Sequence, residues 1–433
     1  RMLQKTYIRH TPGKIGEHVD LAGWAMRVRG SGKVCFIQFR DGTGFIQVVA
    51  GAQDVPPEDF ELIRHLPQES AIRVSGKVTP NDKAPLGVEI LADHVELVSR
   101  TEDYPIAPKE HGTDFLMDRR HLWIRSPRQH AILTIRHQIV TAIRHYFDDN
   151  DFTLVDAPIF TANECEGSTT LFKTKYFEED AFLSQSGQLY MEAACEAFGR
   201  SYCFGPTFRA ENSNTRRHLT EFWMVEPEVA YMDLNGDMEL AEGLVQAIVR
   251  RILERCKIEL RILERDTKPL EAVVAGPFPK ITYTEAVKII QDSGAQFKWG
   301  DDFGGADETV VSGKFDRPVM VYGYPIAIKP FYMKKDPKNP KIARNVDVLA
   351  PEGYGEIIGG GQREEDLGVL EAALRAQGLA PATYSWYLDI RRYGSVPHAG
   401  FGLGIERAVA WICGLPHVRE TEAFPRLPNR LRP

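Results

Sequence analysis

Residues 208–228 read FRAENSNTRRHLTEFWMVEPE, two apolar segments on either side of a polar, basic loop. Arg209 opens the stretch, the loop carries Arg216, Arg217 and His218, and from Phe222 an alternation begins in which Phe222, Met224 and Glu226 share one face. A period of two marks a strand. An antiparallel hairpin built this way brings a guanidinium, an aromatic ring and a carboxylate into one cleft. Arginine suits phosphate through its bidentate fork, a ring suits a purine face, and a carboxylate suits a polar substrate. Taken alone, the same residues also read as a solvated basic loop on a surface hairpin.

A second stretch stands near the C-terminal end. Residues 398–411 read HAGFGLGIERAVAW, with glycines at 400, 402 and 404 ahead of Glu406 and Arg407 on an apolar helix. Glycine lets backbone pass close to a ligand, and a helix start favours anions. A Gly-rich strand packed on a helix with a surface arginine is the plainer reading of these residues by themselves.

Together the two stretches resemble motifs 2 and 3 of the class II aminoacyl-tRNA synthetases, in the aspartate, asparagine and lysine subgroup. Their wording lies nearest the asparagine branch, and the resemblance runs over nearly the whole chain. It implies an α+β protein: an N-terminal five-stranded OB-fold β-barrel that binds the anticodon (residues 1–100), a hinge (101–115), and a catalytic domain of antiparallel sheet flanked by helices (116–433). The implied reaction activates L-asparagine with ATP, releases pyrophosphate and transfers the amino acid to the 3′ end of an asparagine-specific tRNA.

Residue by residue, the resemblance implies that Arg209 holds the α-phosphate and the substrate carboxylate, and that Arg407 holds the γ-phosphate. Phe222 would stack under adenine, Arg217 and His218 would reach the β- and γ-phosphates, and Glu211 would orient the loop or the 3′ end of the tRNA. Magnesium accompanies ATP, held through phosphate oxygens and one or two carboxylates. In NVDVLAPEGYGEIIGGGQRE (345–364), Glu356 matches the family ligand and Asp347 is the second candidate, at a longer spacing than in aspartyl enzymes. Without the family frame, both read as surface charges.

The amino-acid pocket is implied by NECEGSTTLF (163–172) and SQSGQLYMEA (184–193). Glu166, followed by Gly167, would approach the α-ammonium; Ser186 and Gln188 would contact substrate backbone groups. Arg363, in GGGQRE, would hold the side-chain oxygen. Aspartate and asparagine are nearly isosteric, so the pocket must read charge. Where aspartyl relatives carry a lysine, this chain has Met191, which supplies no second positive charge and also reads as core filling. Glu226 would accept from the substrate amide and repel a carboxylate, a discrimination of several kcal/mol in a buried site, roughly the scale set by an unpaired buried charge.

The runner-up readings are an aspartyl enzyme of the short archaeal-like type, an amide ligase making asparagine from aspartate, and a non-catalytic nucleic-acid-binding descendant. Met191 and Glu226 oppose the first, the N-terminal barrel opposes the second, and the presence of both Arg209 and Arg407 opposes the third. The chain departs from the family's usual wording at ETEA before FPR and RLPNRLRP after it.

Composition bounds the reading. The 433 residues are 43% hydrophobic and 10% aromatic, enough for two or three domains with cores of their own. Six cysteines show no C-x-x-C pair, so neither a zinc site nor a disulfide framework is indicated and a reducing cytoplasm is expected. No apolar run approaches a bilayer span, and the first residues lack an apolar signal core. A formal net charge of −7 opposes a coat of nucleic acid, but residues 1–100 hold thirteen Lys+Arg against twelve Asp+Glu and leave room for a local basic face.

Within residues 15–98, five Val-, Ile- and Phe-rich segments are separated by GSGK, DGTG and TPNDKAPLG, with DFELIRHL as a helix between the third and fourth. Arg29, Phe36 and Gln47 match the family's anticodon positions; Phe36 as barrel core is the alternative, because alternation does not say which face is inside. Ser126 as N-cap and Pro127 at the first helical position start a helix whose apolar stripe runs through Ile132, Ile135, Ile139, Ile143 and Phe147. That helix and the following DFTLVDAPIF resemble motif 1, which implies a homodimer; an ordinary core helix is the other reading. Further helices are expected at 237–256 and 364–377.

Overall fold

The computed structural model describes residues 6–166, 170–212 and 215–433. It divides into two compact units, one ending at Met117 and the other beginning at Asp118.

In the first unit the strands His18–Ser31, Val34–Arg40, Phe45–Gly51, Ser70–Pro80 and Val88–Ser99 close a five-stranded barrel. The third and fifth pair in parallel, the rest antiparallel. The helix Pro57–Arg64 joins the third strand to the fourth, where the sequence places it. Along the second strand Cys35, Ile37 and Phe39 are buried while Val34, Phe36 and Gln38 face outward. Phe36 is therefore a ring on the outer face and not part of the core. The first and second strands approach closely at Gly23, where a Cβ would lie 2.0 Å from the Arg40 carbonyl oxygen.

The second unit is built on an eight-stranded sheet. Its order across the sheet is Lys280–Thr282, Val319–Tyr322, Asn345–Ala350, Gly355–Gln362, His398–Gly404, Glu221–Ala230, Arg200–Phe208 and Thr153–Leu154. The expected antiparallel sheet needs correction at its edges, since the outermost pair on each side is parallel and the sheet is mixed. The cause is connectivity. Helices Tyr283–Asp292 and Gly305–Ser312 lie between one edge strand and its neighbour, and helix Gln188–Phe198 lies between the other pair. Such crossovers return the chain in the same direction.

Two long helices, Pro127–Asp148 and Leu234–Arg255, pack together. Ile132, Ile135, Ile139, Ile143 and Phe147 are fully buried in a core shared with Leu244, Val245, Ile248 and Ile252. The apolar stripe of the first helix is thus used up inside its own chain. Ser126 caps that helix by accepting from Gln129 N at 3.4 Å. Asp233 accepts from Gly236 N at 3.0 Å, which starts the second helix three residues before the expected 237. Asp366 accepts from Val369 N at 2.9 Å and delays the helix expected from 364 to Leu367–Ala376. Among the described residues all six cysteines are free and buried, and no helix is long and apolar enough to cross a membrane.

Candidate functional site

The strands Arg200–Phe208 and Glu221–Ala230 form the hairpin read from the sequence, with Thr207 opposite Phe222, Gly205 opposite Met224 and Cys203 opposite Glu226. The next strand inward brings Gly404 opposite Met224 and Gly400 opposite Glu228. Its glycines leave the floor open. A Cβ at Gly402 would lie 2.3 Å from Met224 Cε, and one at Gly400 would lie 2.2 Å from Glu228 Oε2.

Two adjoining cavities rise from this floor. The smaller, about 120 Å³, is lined by all seven residues singled out for the nucleotide: Arg209, Glu211, Arg217, His218, Phe222, Glu356 and Arg407. The larger, about 710 Å³, is bordered by Glu166, Gln188, Asp347 and Arg363, together with Arg209 and Glu356. Arg209 and Glu356 therefore stand at the junction.

Arg209 enters as its strand ends, held by its main-chain N–H on the Thr220 carbonyl at 3.0 Å. Its guanidinium lies over the Phe222 ring, 5.3 Å from the centroid, and Nη2 is 4.0 Å from Met224 Sδ. Nε is buried with no hydrogen bond, and among the described residues no carboxylate pairs with the group. An unpaired cation of this kind is ready for an anion. Arg407 donates to the Glu356 carbonyl at 2.9 Å, and its Nη2 lies 3.3 Å from His218 Nε2. Burial first, then the Arg407 charge, hold the His218 pKa below its ordinary value, so the ring stays neutral beside the arginines.

Arg217 is placed differently from the free loop cation that was expected. It donates to Glu308 at 2.9 Å, to Thr309 Oγ1 at 3.1 Å and to the Gly353 carbonyl, partners some 90 to 136 residues onward in the chain.

In the larger cavity Asp347 and Glu356 converge. A Cβ at Gly359 would sit 2.9 Å from Glu356 Oε1 and 3.6 Å from Asp347 Oδ1. Asp347 also accepts from Lys329 Nζ at 3.1 Å. Burial pushes its pKa up to about 6, with Lys329 opposing and Glu356 adding to the rise. Burial and Glu356 likewise push Glu308 up to about 7. Crowded carboxylates like these suit a divalent cation. Asp347 and Glu356 make a two-carboxylate donor set, which suits a magnesium ion that would keep water and phosphate as its other ligands; among the described residues no group of three or more His, Cys, Asp or Glu could hold a metal ion.

Arg363 is fully buried and donates through Nε and Nη2 to Glu228 at 3.0 to 3.3 Å, with its head 5.5 Å from the Tyr332 ring centroid. Among the described residues, Nη1 makes no hydrogen bond. Glu166 accepts from Tyr332 Oη at 3.0 Å. Gly167, read with it, lies outside the described residues. Met191 is in a small apolar cluster with Ala194 and Cys203, 1% exposed, and is core.

Two expected pocket residues, Ser186 and Glu226, do not line either cavity. Glu226 is 4% exposed and accepts from Ser186 Oγ, from Gly187 N at 2.7 Å and from Cys203 Sγ at 3.5 Å. Three donors of its own chain thus hold the carboxylate just under the floor, its Oε1 3.9 Å from where a Cβ at Gly402 would lie. The carboxylate that the sequence reading passed over is Glu228. The same alternation that singled out Glu226 places it on the same face, and it carries Arg363.

On the barrel, Arg29 lies directly opposite Phe36, and Gln47 opposite Gln38 on the adjoining strand. Arg29 is exposed, Phe36 and Gln47 half-buried, and all three are on the outer face. Gln47 donates through Nε2 to Glu89 at 2.9 Å.

The chain is similar over its whole length to known proteins. A family model described as tRNA synthetases class II (D, K and N) matches residues 112–428, and an OB-fold nucleic acid binding domain matches residues 19–98. An asparagine–tRNA ligase of Sorangium cellulosum is 58% identical over 432 residues, 97% of each chain. One from Desulforamulus reducens is 53% identical over the whole of both chains. Among solved structures, asparaginyl-tRNA synthetase from Pyrococcus horikoshii complexed with asparaginyl-adenylate superposes over the whole of both chains with a TM-score of 0.95 and 44% identity. An aspartyl tRNA synthetase from Entamoeba histolytica reaches 0.84 at 27% identity, over all of this chain and 93% of the other.

Proposed function

Because the chain belongs to the class II tRNA synthetases of the D, K and N group, its activity is the ligation of asparagine to tRNA, and we propose the residues that carry it. The observation that supports the assignment best is Arg209, a guanidinium with no carboxylate partner among the described residues, at the junction of the two cavities. A carboxylate seated in the larger cavity and an α-phosphate seated in the smaller meet at this one group. The asparagine carboxylate attacks the α-phosphorus there, and pyrophosphate leaves toward Arg407 and His218. Charge develops on phosphate oxygens, so the protein acts by positioning and cationic stabilisation and needs no nucleophile of its own.

Adenine stacks on Phe222, and Glu211 steadies the loop beside it. Asp347 and Glu356 would hold magnesium, which supplies charge neutralisation on the phosphates. Glu166 and Gln188 face the α-ammonium, and Arg363 uses its remaining Nη1 on the side-chain oxygen. Glu226 acts from behind the wall, fixing Ser186 and Gly187 at the start of the helix that bears Gln188. Exclusion of aspartate follows from Met191 in place of a cation and from Glu228, which already takes up much of the Arg363 charge.

The anticodon is read on the outer face of the barrel by Arg29, Phe36 and Gln47, with residues 101–115 as the connection to the catalytic domain. Two copies would associate through the motif 1 region. Its helix stripe is core, so the faces available are the exposed Leu154, Ile159 and Phe160. The free thiols suit a reducing cytoplasm.

Pyrophosphate exchange measured with asparagine and aspartate in parallel tests the reading. Exchange with asparagine should exceed that with aspartate by about 10⁴-fold in kcat/KM, the discrimination open to a site with fixed hydrogen-bond polarity. Equal exchange with both would overturn it. Phe36→Ala should raise the KM for tRNA about 10-fold, the loss of one base stack, while leaving exchange untouched because exchange needs no tRNA. An unchanged tRNA KM would remove Phe36 from the interface.

A further inference from the structure

Beneath the larger cavity lies a buried ionic cluster that the mechanism above does not use. Glu192 sits one helical turn after Gln188, with its side chain wholly buried, and the two side chains meet. Its oxygens take Gln188 Nε2 at 3.2 Å, Tyr387 Oη at 2.8 Å, Arg391 Nη2 at 2.5 Å and His398 Nε2 at 2.9 Å. Every partner is a donor. His398 Nδ1 lies 2.8 Å from the Val396 carbonyl, which only accepts, so both ring nitrogens donate and the ring is an imidazolium. Burial works against that charge more than any one partner favours it, but the hydrogen bond and charge of Glu192 together with the charge of Glu228 lift the His398 pKa above its ordinary value. Burial also opposes the Glu192 charge, and Arg391 with His398 holds its carboxyl well below the usual carboxylate range. Glu192 is therefore an acceptor with no proton to give.

A carboxamide facing a pure acceptor has one orientation open to it. Gln188 must present Nε2 to Glu192, which leaves Oε1 pointing away. Gln188 borders the cavity, and among the described residues Oε1 takes no hydrogen bond. The main chain is fixed as well, with Gln188 N donating to Ser186 Oγ at 3.1 Å.

We propose that Glu192 is a positioning residue for the amino acid: by holding the Nε2 end of the Gln188 carboxamide it commits Oε1 to the cavity, where it accepts from the substrate α-ammonium. The cavity's other groups allow this division, since Arg209 and Arg363 serve the oxygens of the amino acid and Glu166 with Gln188 Oε1 serves its cation. The inference rests on the asparagine-activating reading given above.

The test uses the full chain in pyrophosphate exchange, with succinamate, which is asparagine without its α-amino group, as a competitive inhibitor. Glu192→Gln offers a donor as well as an acceptor and frees the Gln188 amide to turn. The KM for asparagine should rise about 10-fold, the worth of one hydrogen bond to a charged group, with the KM for ATP, kcat and the succinamate Ki little changed. Gln188→Met should give the same rise, and the double variant no further one. Should Glu192→Gln fail to fold, Glu192→Asp keeps the charge for Arg391 and His398 while withdrawing from Gln188, and the same rise is expected. A succinamate Ki that worsens in step with the asparagine KM would make Glu192 merely structural and overturn the proposal. So would an unchanged asparagine KM in Gln188→Met. Absence of asparagine exchange in the unaltered protein would instead overturn the functional reading itself.

Discussion

Arg209→Ala is expected to lower kcat/KM for asparagine-dependent pyrophosphate exchange by about 10³-fold, the effect of removing a preorganised donor from a developing oxyanion. That corresponds to about 4 kcal/mol of transition-state stabilisation. The size follows from placement. Arg209 borders both cavities, so its loss removes a contact to the carboxylate and to the α-phosphate together. The fold should not suffer, because the guanidinium makes only a 4.0 Å approach to Met224 Sδ and a stacking contact with Phe222, and its Nε is buried without a partner. The thermal midpoint of the variant should match the parent. Arg209→Lys should recover only part of the rate, since an ammonium restores the charge without the planar fork. Full activity in Arg209→Ala would move the reacting atoms away from the junction; a lowered midpoint would recast the arginine as structural.

How much of this was legible before the structure depends on how local the signal is. The seven residues that line the smaller cavity were readable because the hairpin with its loop and the Gly-rich strand with its helix carry six of them, and the neighbouring strand Gly355–Gln362 carries Glu356. Once Phe222 and Met224 are set on one face, the rest follow. The barrel was readable for the same reason, since strand spacing and turn residues are local, and so was the N-cap at Ser126. What alternation does not contain is the choice of inside, and Phe36 needed the burial of Cys35, Ile37 and Phe39 to be placed. Pairings between distant elements were also out of reach. Arg217 finds Glu308 across 91 residues and Arg363 finds Glu228 across 135, and nothing near any of the four announces the partner. The partners of Glu226 and Glu228 are of that kind. Two glutamates on one face of one strand look alike in sequence; one serves Ser186 and Gly187, and the other serves the arginine that borders the cavity. The parallel edge strands depended on crossovers that strand composition does not record.

The Arg363–Glu228 pair gives the second large effect. Arg363→Met should abolish measurable asparagine-dependent exchange and cost about 3 to 5 kcal/mol of stability, the usual result of leaving one member of a buried ion pair without the other. Both side chains are nearly inaccessible, 3% and 1% exposed. Burial already pushes the Glu228 pKa up, with Arg363 as the main opposing influence. Removing the arginine removes most of that opposition and leaves the smaller one from His398. Asp237, close by, is itself buried, with no partner for either carboxyl oxygen among the described residues, and burial pushes its pKa up to about 8. In the variant, the folded-state pKa of Glu228 then lies further above its unfolded value. A carboxyl raised on folding favours the folded state below the unfolded pKa, and that advantage disappears as pH rises through the folded pKa. The stability deficit should therefore be larger at pH 8 than at pH 5, measured as the shift in urea midpoint against the parent at each pH. Activity and stability separate in the double variant Arg363→Met with Glu228→Leu. Replacing both members of a buried pair by apolar groups is close to neutral for folding, so its midpoint should return toward the parent while asparagine-dependent exchange stays absent. A double variant that regains exchange would show that the pair only holds the fold, and that asparagine is recognised by other groups.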